Sequence, residues 1–178
     1  SGMPKSRHTL FFSATVSGEI ENLIHEFLRE PVRITVKTRD TSANVEQDVI
    51  RVKNDNKLDT LNGLLIQPEF KKVLVFSRTK HGAERLANML VGKGFKAESI
   101  HGNKNQSKRQ RALNMFKESR IQVLVATDVA ARGLDIANVS HVINYDVPAT
   151  YNDYIHRIGR TGRANNRGKA LTFIDGEF

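Results

Sequence analysis

From residue 45 onward the chain switches regularly between short apolar runs and amphipathic stretches. "VEQDVIRV" (45–52), "KVLVF" (72–76), "AESI" (97–100), "VLVAT" (123–127), "HVINY" (141–145) and "KALTFI" (169–174) read as strands. Between them, "NKLDTLNGLLIQ" (56–67) places Leu58, Leu61, Leu64 and Leu65 on one face of a helix. "HGAERLANMLVGKG" (81–94), "SKRQRALNMFKES" (107–119) and "TYNDYIHRI" (150–158) are predicted helices, the first stopped by its glycines. Several strands are unbroken Val, Leu and Ile runs, the pattern of a strand covered on both faces. The chain is therefore expected to be α/β, an open, mostly parallel sheet with helices on both faces.

The first 36 residues follow a different rhythm. "HTLFFSAT" (8–15) reads as a buried strand, Ile20, Leu23, Ile24, Phe27 and Leu28 form a helical stripe, and "VRITV" (32–36) alternates as a strand. Ser17 is the expected N-cap and Pro31 the stop. "KTRDTSAN" (37–44) has no large apolar residue and marks a linker. Ser1-Gly2 reads as a tag remnant. An apolar helix and strand stay ordered only if buried. Residues 8–36 are thus expected to pack on the rest of the chain or to pair with a second copy in a non-physiological dimer.

Composition narrows the function classes. No apolar run approaches the roughly 18 residues of a membrane span. The absence of cysteine excludes disulfides, zinc-thiolate sites and cysteine nucleophiles, and fits a cytoplasmic location. The net charge of +9 is local. Residues 101–120 hold six Lys/Arg against Glu118, and 156–169 hold five against no acid, leaving the remainder nearly neutral. Two positive segments form a footprint for a polyanion, the bland alternative being a solvated basic face.

In parallel α/β sheets ligands sit beyond the carboxyl ends of the strands. Ser77-Arg78, His101-Gly102 and Thr127-Asp128 all follow strands and so share that edge. Asp128 alone would more often cap a helix, and the alternative for Asp135 is a turn former. "HGNKNQSKRQR" places glycine and cations at a helix start, where unpaired N–H groups favour phosphate. In "HRIGRTGR" (156–163), Gly159 and Gly162 end the helix near Ile158 and leave Arg160 and Arg163 aimable at phosphate. Arg157 is the best candidate for a structural ion pair. Phe76 reads as core. A self-sufficient nucleotide hydrolase of this architecture needs G-x-x-x-x-G-K-[ST], and "GRANNRGKA" has the wrong spacing and lacks the hydroxyl. No residue set with metal-ligand spacing is present.

"SAT" at Ser13, "VLVFSRTK" at 73, "HGNKNQSKRQR" at 101, "ATDVAARGLDI" at 126 and "HRIGRTGR" at 156 occur in the order and spacing of DEAD-box RNA helicases. The chain resembles that family over nearly its whole length, and within it a bacterial RhlE-like subgroup. The resemblance implies two RecA-like domains. Residues 3–36 would be the strand-helix-strand tail of the first, 37–44 the linker, and 45–178 the second. It further implies that Arg160 and Arg163 reach the γ-phosphate of ATP, while Asp135 with Gly133 meets its ribose. ATP and Mg²⁺ would be held by the other domain. Ser77, Arg78, Gly102, Gln106, Arg109, Thr127 and Asp128 would contact RNA by its backbone, tolerant of sequence. Ser13, Thr15, His156 and Arg157 would face the first domain. The fragment alone would be inactive. A stand-alone RNA-binding module, or a DNA-directed helicase of the same superfamily, remains the alternative.

Overall fold

The computed structural model describes residues 7–13, 16, 18–34, 44–53, 56–134, 136, 139–162 and 166–176. The chain divides into a small unit, Ser1–Thr38, and a large one, Arg39–Phe178. Described in chain order, the small unit contributes α1 (Gly18–Phe27), started by Glu19 and Glu21. Of its apolar stripe only Ile24 is buried. The strands expected over 8–15 and 32–36 do not form among the described residues. Phe12 is 88% exposed, Val32 90% and Ile34 85%. The physical reason is that a strand needs a neighbour to satisfy its backbone groups.

The large unit carries β1 (Val45–Val52), α2 (Lys57–Leu65), β2 (Val73–Phe76), α3 (Lys80–Gly92), β3 (Ala97–Ile100) and α4 (Gln106–Lys117). It continues through β4 (Val123–Ala126), α5 (Asp128–Ala131), β5 (His141–Asn144), α6 (Tyr151–Ile158) and β6 (Gly168–Asp175). The six strands form one sheet in the order β1-β6-β5-β2-β4-β3, and every pairing is parallel. This is the RecA-like α/β fold expected from the sequence. The single-turn α5 was not foreseen, because four residues are too few to show a period.

Alternate side chains of each strand feed two cores. Leu74, Phe76, Leu124 and Ala126 face one, with Ala112, Leu113 and Phe116 of α4 and Ile158 of α6. Val73, Val75, Val123 and Val125 face the other, with Leu61 and Leu65 of α2 and Leu86 and Leu90 of α3. Each such aliphatic side chain contributes about 1.5–3 kcal/mol by leaving water. β1 lies at the sheet edge, and there only Val45 and Val52 are buried. Side-chain caps fix the helix starts: Thr79 accepts from Gly82 N–H, Asn105 from Lys108 N–H and Thr150 from Asp153 N–H.

Candidate nucleic-acid and phosphate interface

The carboxyl edge of the sheet is set by register. Phe76 and Ile100 each pair with Ala126. Ser77 N–H donates to the Ala126 carbonyl and Thr127 N–H to that of Ile100, which lines up Ser77, Thr127 and His101. Arg78 and Gly102 are exposed beside them, while Thr127 is 8% exposed.

Asp146, just after β5, organises this edge and was missed from sequence. Its Oδ2 accepts from the Ser77 hydroxyl at 2.9 Å and from Arg78 N–H at 2.8 Å, and Lys57 Nζ lies 3.4 Å from Oδ1. The available signal was an acid directly following an apolar strand. Ser77 is 3% exposed with its hydroxyl committed to Asp146. The Ser77 hydroxyl thus braces the edge from beneath the surface. Burial would raise the Asp146 carboxyl, but the Arg78 N–H, the Ser77 hydroxyl and Lys57 outweigh it and hold it below the usual carboxylate range. A depressed folded-state pKa stabilises above the unfolded value near ~3.9 and is lost as pH falls through the lower folded value. Asp146→Ala should cost about 1–3 kcal/mol at pH 7, because two donors lose their acceptor. Denaturant titrations of both proteins should show that deficit shrinking as pH is lowered below the ordinary carboxylate range. A pH-independent deficit would contradict the role given to the charge.

Arg157 of α6 is the largest fully buried side chain. Its Nε and Nη2 donate to the two carboxylate oxygens of Asp128 at 2.7 and 2.8 Å. Nη1 donates to Asn144 Oδ1 and to the Asp146 carbonyl, and the guanidinium carbon sits 5.0 Å from the Phe76 ring centre. With 1% exposure, Arg157 has no surface to offer another domain. Its interdomain assignment is corrected to the structural pair, tying α6 to β2, β5 and α5. Both carboxylate oxygens of Asp128 accept from Arg157, and its side chain keeps 26% exposure. Phe76 is core, as expected.

The turn after β3 presents the second cluster. Gly102 and Gln106 are exposed, and Arg109 is half-buried with its Nε covered and unpartnered. Glu84 of α3 anchors this turn by accepting from the Ser99 hydroxyl, His101 Nε2 at 3.0 Å and Lys104 Nζ at 3.2 Å. The Ser99 hydrogen bond first, then those of His101 and Lys104, hold the Glu84 carboxyl at about 2 against the opposing effect of burial. Beside the turn lies a cavity of about 540 Å³ whose lining includes Lys80, His81, Lys108 and Arg111. Glu84 had no signal in the sequence, since its partners come from β3 and the turn after it.

α6 crosses the domain from the carboxyl edge to the amino edge. It ends at Ile158 with Gly159 as its cap residue, as its glycines predicted. Arg160 Nη1 donates to the Leu134 carbonyl at 2.6 Å. Arg160 and His156 line a shallow depression with Arg132, Asp153 and Asp128. The Arg132–Asp153 pair at 3.0 Å, also missed from sequence, forms its rim. Gly133 adopts φ +74 in the turn after α5, a conformation that favours glycine. Thr15, Asp135 and Arg163 lie outside the described residues, and Ser13 belongs to the small unit. The expected residues thus fall along the carboxyl edge of the sheet and at the end of α6, where Arg160 and His156 share a depression with Asp128.

Comparison with known proteins decides the family. The profile of the helicase conserved C-terminal domain matches residues 56–165. The chain belongs to this family. Its relatives place it among the DEAD-box proteins. The solved structure of the E. coli DEAD-box protein SrmB, bound to RraA, is 42% identical with TM-score 0.71, the match covering 74% of this chain and 78% of that one. The DEAD-box ATP-dependent RNA helicase CshA of Bacillus subtilis is 47% identical over 98% of this chain and 35% of its own length. Dbp5 of S. cerevisiae, solved with RNA and ADP BeF3, is 30% identical with TM-score 0.79 over 98% of this chain and 47% of that one. The helicase-domain chain spans about a third of the length of the curated relatives it matches.

Proposed function

We propose that this chain is the C-terminal RecA-like half of an ATP-dependent RNA helicase that remodels RNA duplexes in the cytoplasm. The carrying observation is that groups suited to phosphate gather at the carboxyl edge of the sheet and just beyond the end of α6, where Arg160 shares a depression with Phe76 and Asp128. Arg78, Gly102, Gln106 and Thr127 lie along the carboxyl edge or the turn next to it, with Arg109 one helical turn further on. Arg160 lies at the far end of α6. CshA carries the activity in its name, and Dbp5 was solved with RNA together with a nucleotide.

In this assignment the edge residues hold the RNA sugar-phosphate backbone through N–H groups, hydroxyls and guanidiniums, without reading bases. Arg160 and Arg163 meet the γ-phosphate of ATP, with Asp135 and Gly133 at its ribose. Bound ATP supplies the phosphoanhydride, and it is held with Mg²⁺ by the other RecA-like domain. The described residues gather no group of acids able to hold that ion. Arg160 remains tethered to Leu134 so that its guanidinium is positioned before the domains close. Ser13, Thr15 and His156 contribute to the contact with that domain, which would also cover the exposed apolar residues of 8–34.

The test is reconstitution. ATP hydrolysis should appear only when the ATP-binding domain and RNA are both added. RNA affinity should fall steeply with salt, with Arg78→Ala or Arg109→Ala each reducing the logarithmic salt slope by about 0.7, the single-strand value per phosphate. Hydrolysis unaffected by RNA would instead favour a binding module. Equal stimulation by DNA would favour a DNA-directed helicase.

A further inference from the structure

We propose that Thr161 and Gly168 are positioning residues for the phosphate-facing arginines, forming a seat at the amino edge of the sheet that fixes where the loop after α6 points. This rests on the assignment of Arg160 and Arg163 to ATP given above.

The loop leaves α6 tightly wound. The N–H groups of Gly159, Arg160 and Thr161 donate back to the carbonyls of Ile155, Arg157 and Ile158. Thr161 then locks into the domain. It is 1% exposed, forms a parallel bridge with Val139, and its hydroxyl donates to the Val139 carbonyl at 2.5 Å. Gly162 follows at φ +66. A Cβ there would lie 2.6 Å from Val45 Cγ2 and 3.1 Å from the Asn44 carbonyl oxygen.

Gly168, the first residue of β6, closes the seat from the third side. A Cβ on Gly168 would stand 2.1 Å from Thr161 Oγ1 and 2.4 Å from the Gly162 backbone nitrogen. Three strand beginnings therefore surround two residues: Val45 of β1, Val139 ahead of β5 and Gly168 of β6. The obstructing atoms include main chain, which cannot swing aside as a flexible side-chain end can. Restoring ordinary contact, at 3.4 Å or more, requires the turn to move by about 1 Å.

Arg160 precedes this turn directly, and Arg163 follows Gly162. The Arg160 guanidinium is tethered to Leu134, in the same 132–139 segment that supplies Val139. Both ends of the loop's grip thus fall on one connection between β4 and β5. A filled position 168 or a missing Thr161 hydroxyl would displace the Arg160 guanidinium. A displacement of about 1 Å at a reacting centre costs on the order of 10²-fold in rate.

The experiment uses the intact helicase carrying Gly168→Ala, Thr161→Val, Thr161→Ser or Arg160→Ala. It measures kcat and KM for RNA-stimulated ATP hydrolysis, RNA affinity without nucleotide, and thermal unfolding. Gly168→Ala and Thr161→Val should lose on the order of 10²-fold in kcat, with RNA affinity and KM for ATP near the parent values. Thr161→Ser keeps the donor and should recover most of the turnover. Thr161→Val removes the donor and leaves position 168 unfilled, so it decides the matter if Gly168→Ala fails to fold. Parental kcat in both Gly168→Ala and Thr161→Val, with Arg160→Ala inactive, overturns the positioning role. So does a loss that vanishes when kcat is expressed per folded molecule. Full turnover by Arg160→Ala overturns the ATP assignment beneath it.

Discussion

Replacing Arg160 or Arg163 by alanine in the intact helicase is expected to lower RNA-stimulated ATP turnover by roughly 10³–10⁵, the contribution of an arginine finger in comparable NTPases. The size follows from where the charge acts. A guanidinium placed before closure meets developing negative charge in a water-excluded cleft, where its field is weakly screened. Arg160 already has its Nη1 on the Leu134 carbonyl, so little ordering remains to be done at the reacting step. RNA affinity measured without nucleotide should stay near the parent value, because the carboxyl-edge groups are untouched. Arg160→Lys should recover little, since a point charge lacks the planar fork that engages several oxygens. Steady-state ATPase assays with saturating RNA, paired with RNA titrations, check both halves. Turnover within a few-fold of the parent by either alanine variant would remove these residues from the reaction.

The second large effect concerns folding. Arg157→Ala should destabilise the chain by about 3–5 kcal/mol, the usual cost of breaking a buried ion pair from one side. Three losses combine: a bidentate bond to Asp128, the donors to Asn144 and Asp146, and the packing over Phe76. The Asp128 side chain retains 26% exposure, so water relieves part of its lost partner and the lower end of the range is expected. Arg157→Lys should not restore stability, for want of the fork. A double-mutant cycle with Asp128→Ala should give a coupling of the order of 0.5–3 kcal/mol. Denaturant unfolding within 1 kcal/mol of the parent for Arg157→Ala would show that the pair is dispensable.

Arg157 and Arg160 stand three residues apart in one motif, and the proposed assignment divides them between scaffold and reaction. The sequence alone placed both in a cationic loop and marked Arg157 as the better structural partner. It could not exclude that Arg157 faced another domain, because Asp128 is distant in the chain. Burial decided it. The same holds for Ser77, whose position after β2 placed it correctly at the edge while its hydroxyl turned inward to Asp146. Glu84, Asp146 and the Arg132–Asp153 pair gave little or no sequence signal, since each acts through residues from other elements.

Elements that depend on local pattern were legible. Unbroken Val and Leu runs specified strands covered on both faces, and the apolar spacing of 56–67, 81–94 and 107–119 specified helices. Glycines at 159 and 162 specified the end of α6. The strands expected over 8–15 and 32–36 do not form among the described residues, because strand pairing is a property of neighbours rather than of a segment. By itself the sequence determined the alternating α/β architecture, the basic segments and the residue types able to bind phosphate. Only the tertiary structure decided which of those residues remain available to a ligand. Hydrogen bonds and burial are set by contacts between elements far apart in the chain, and no local spacing records them.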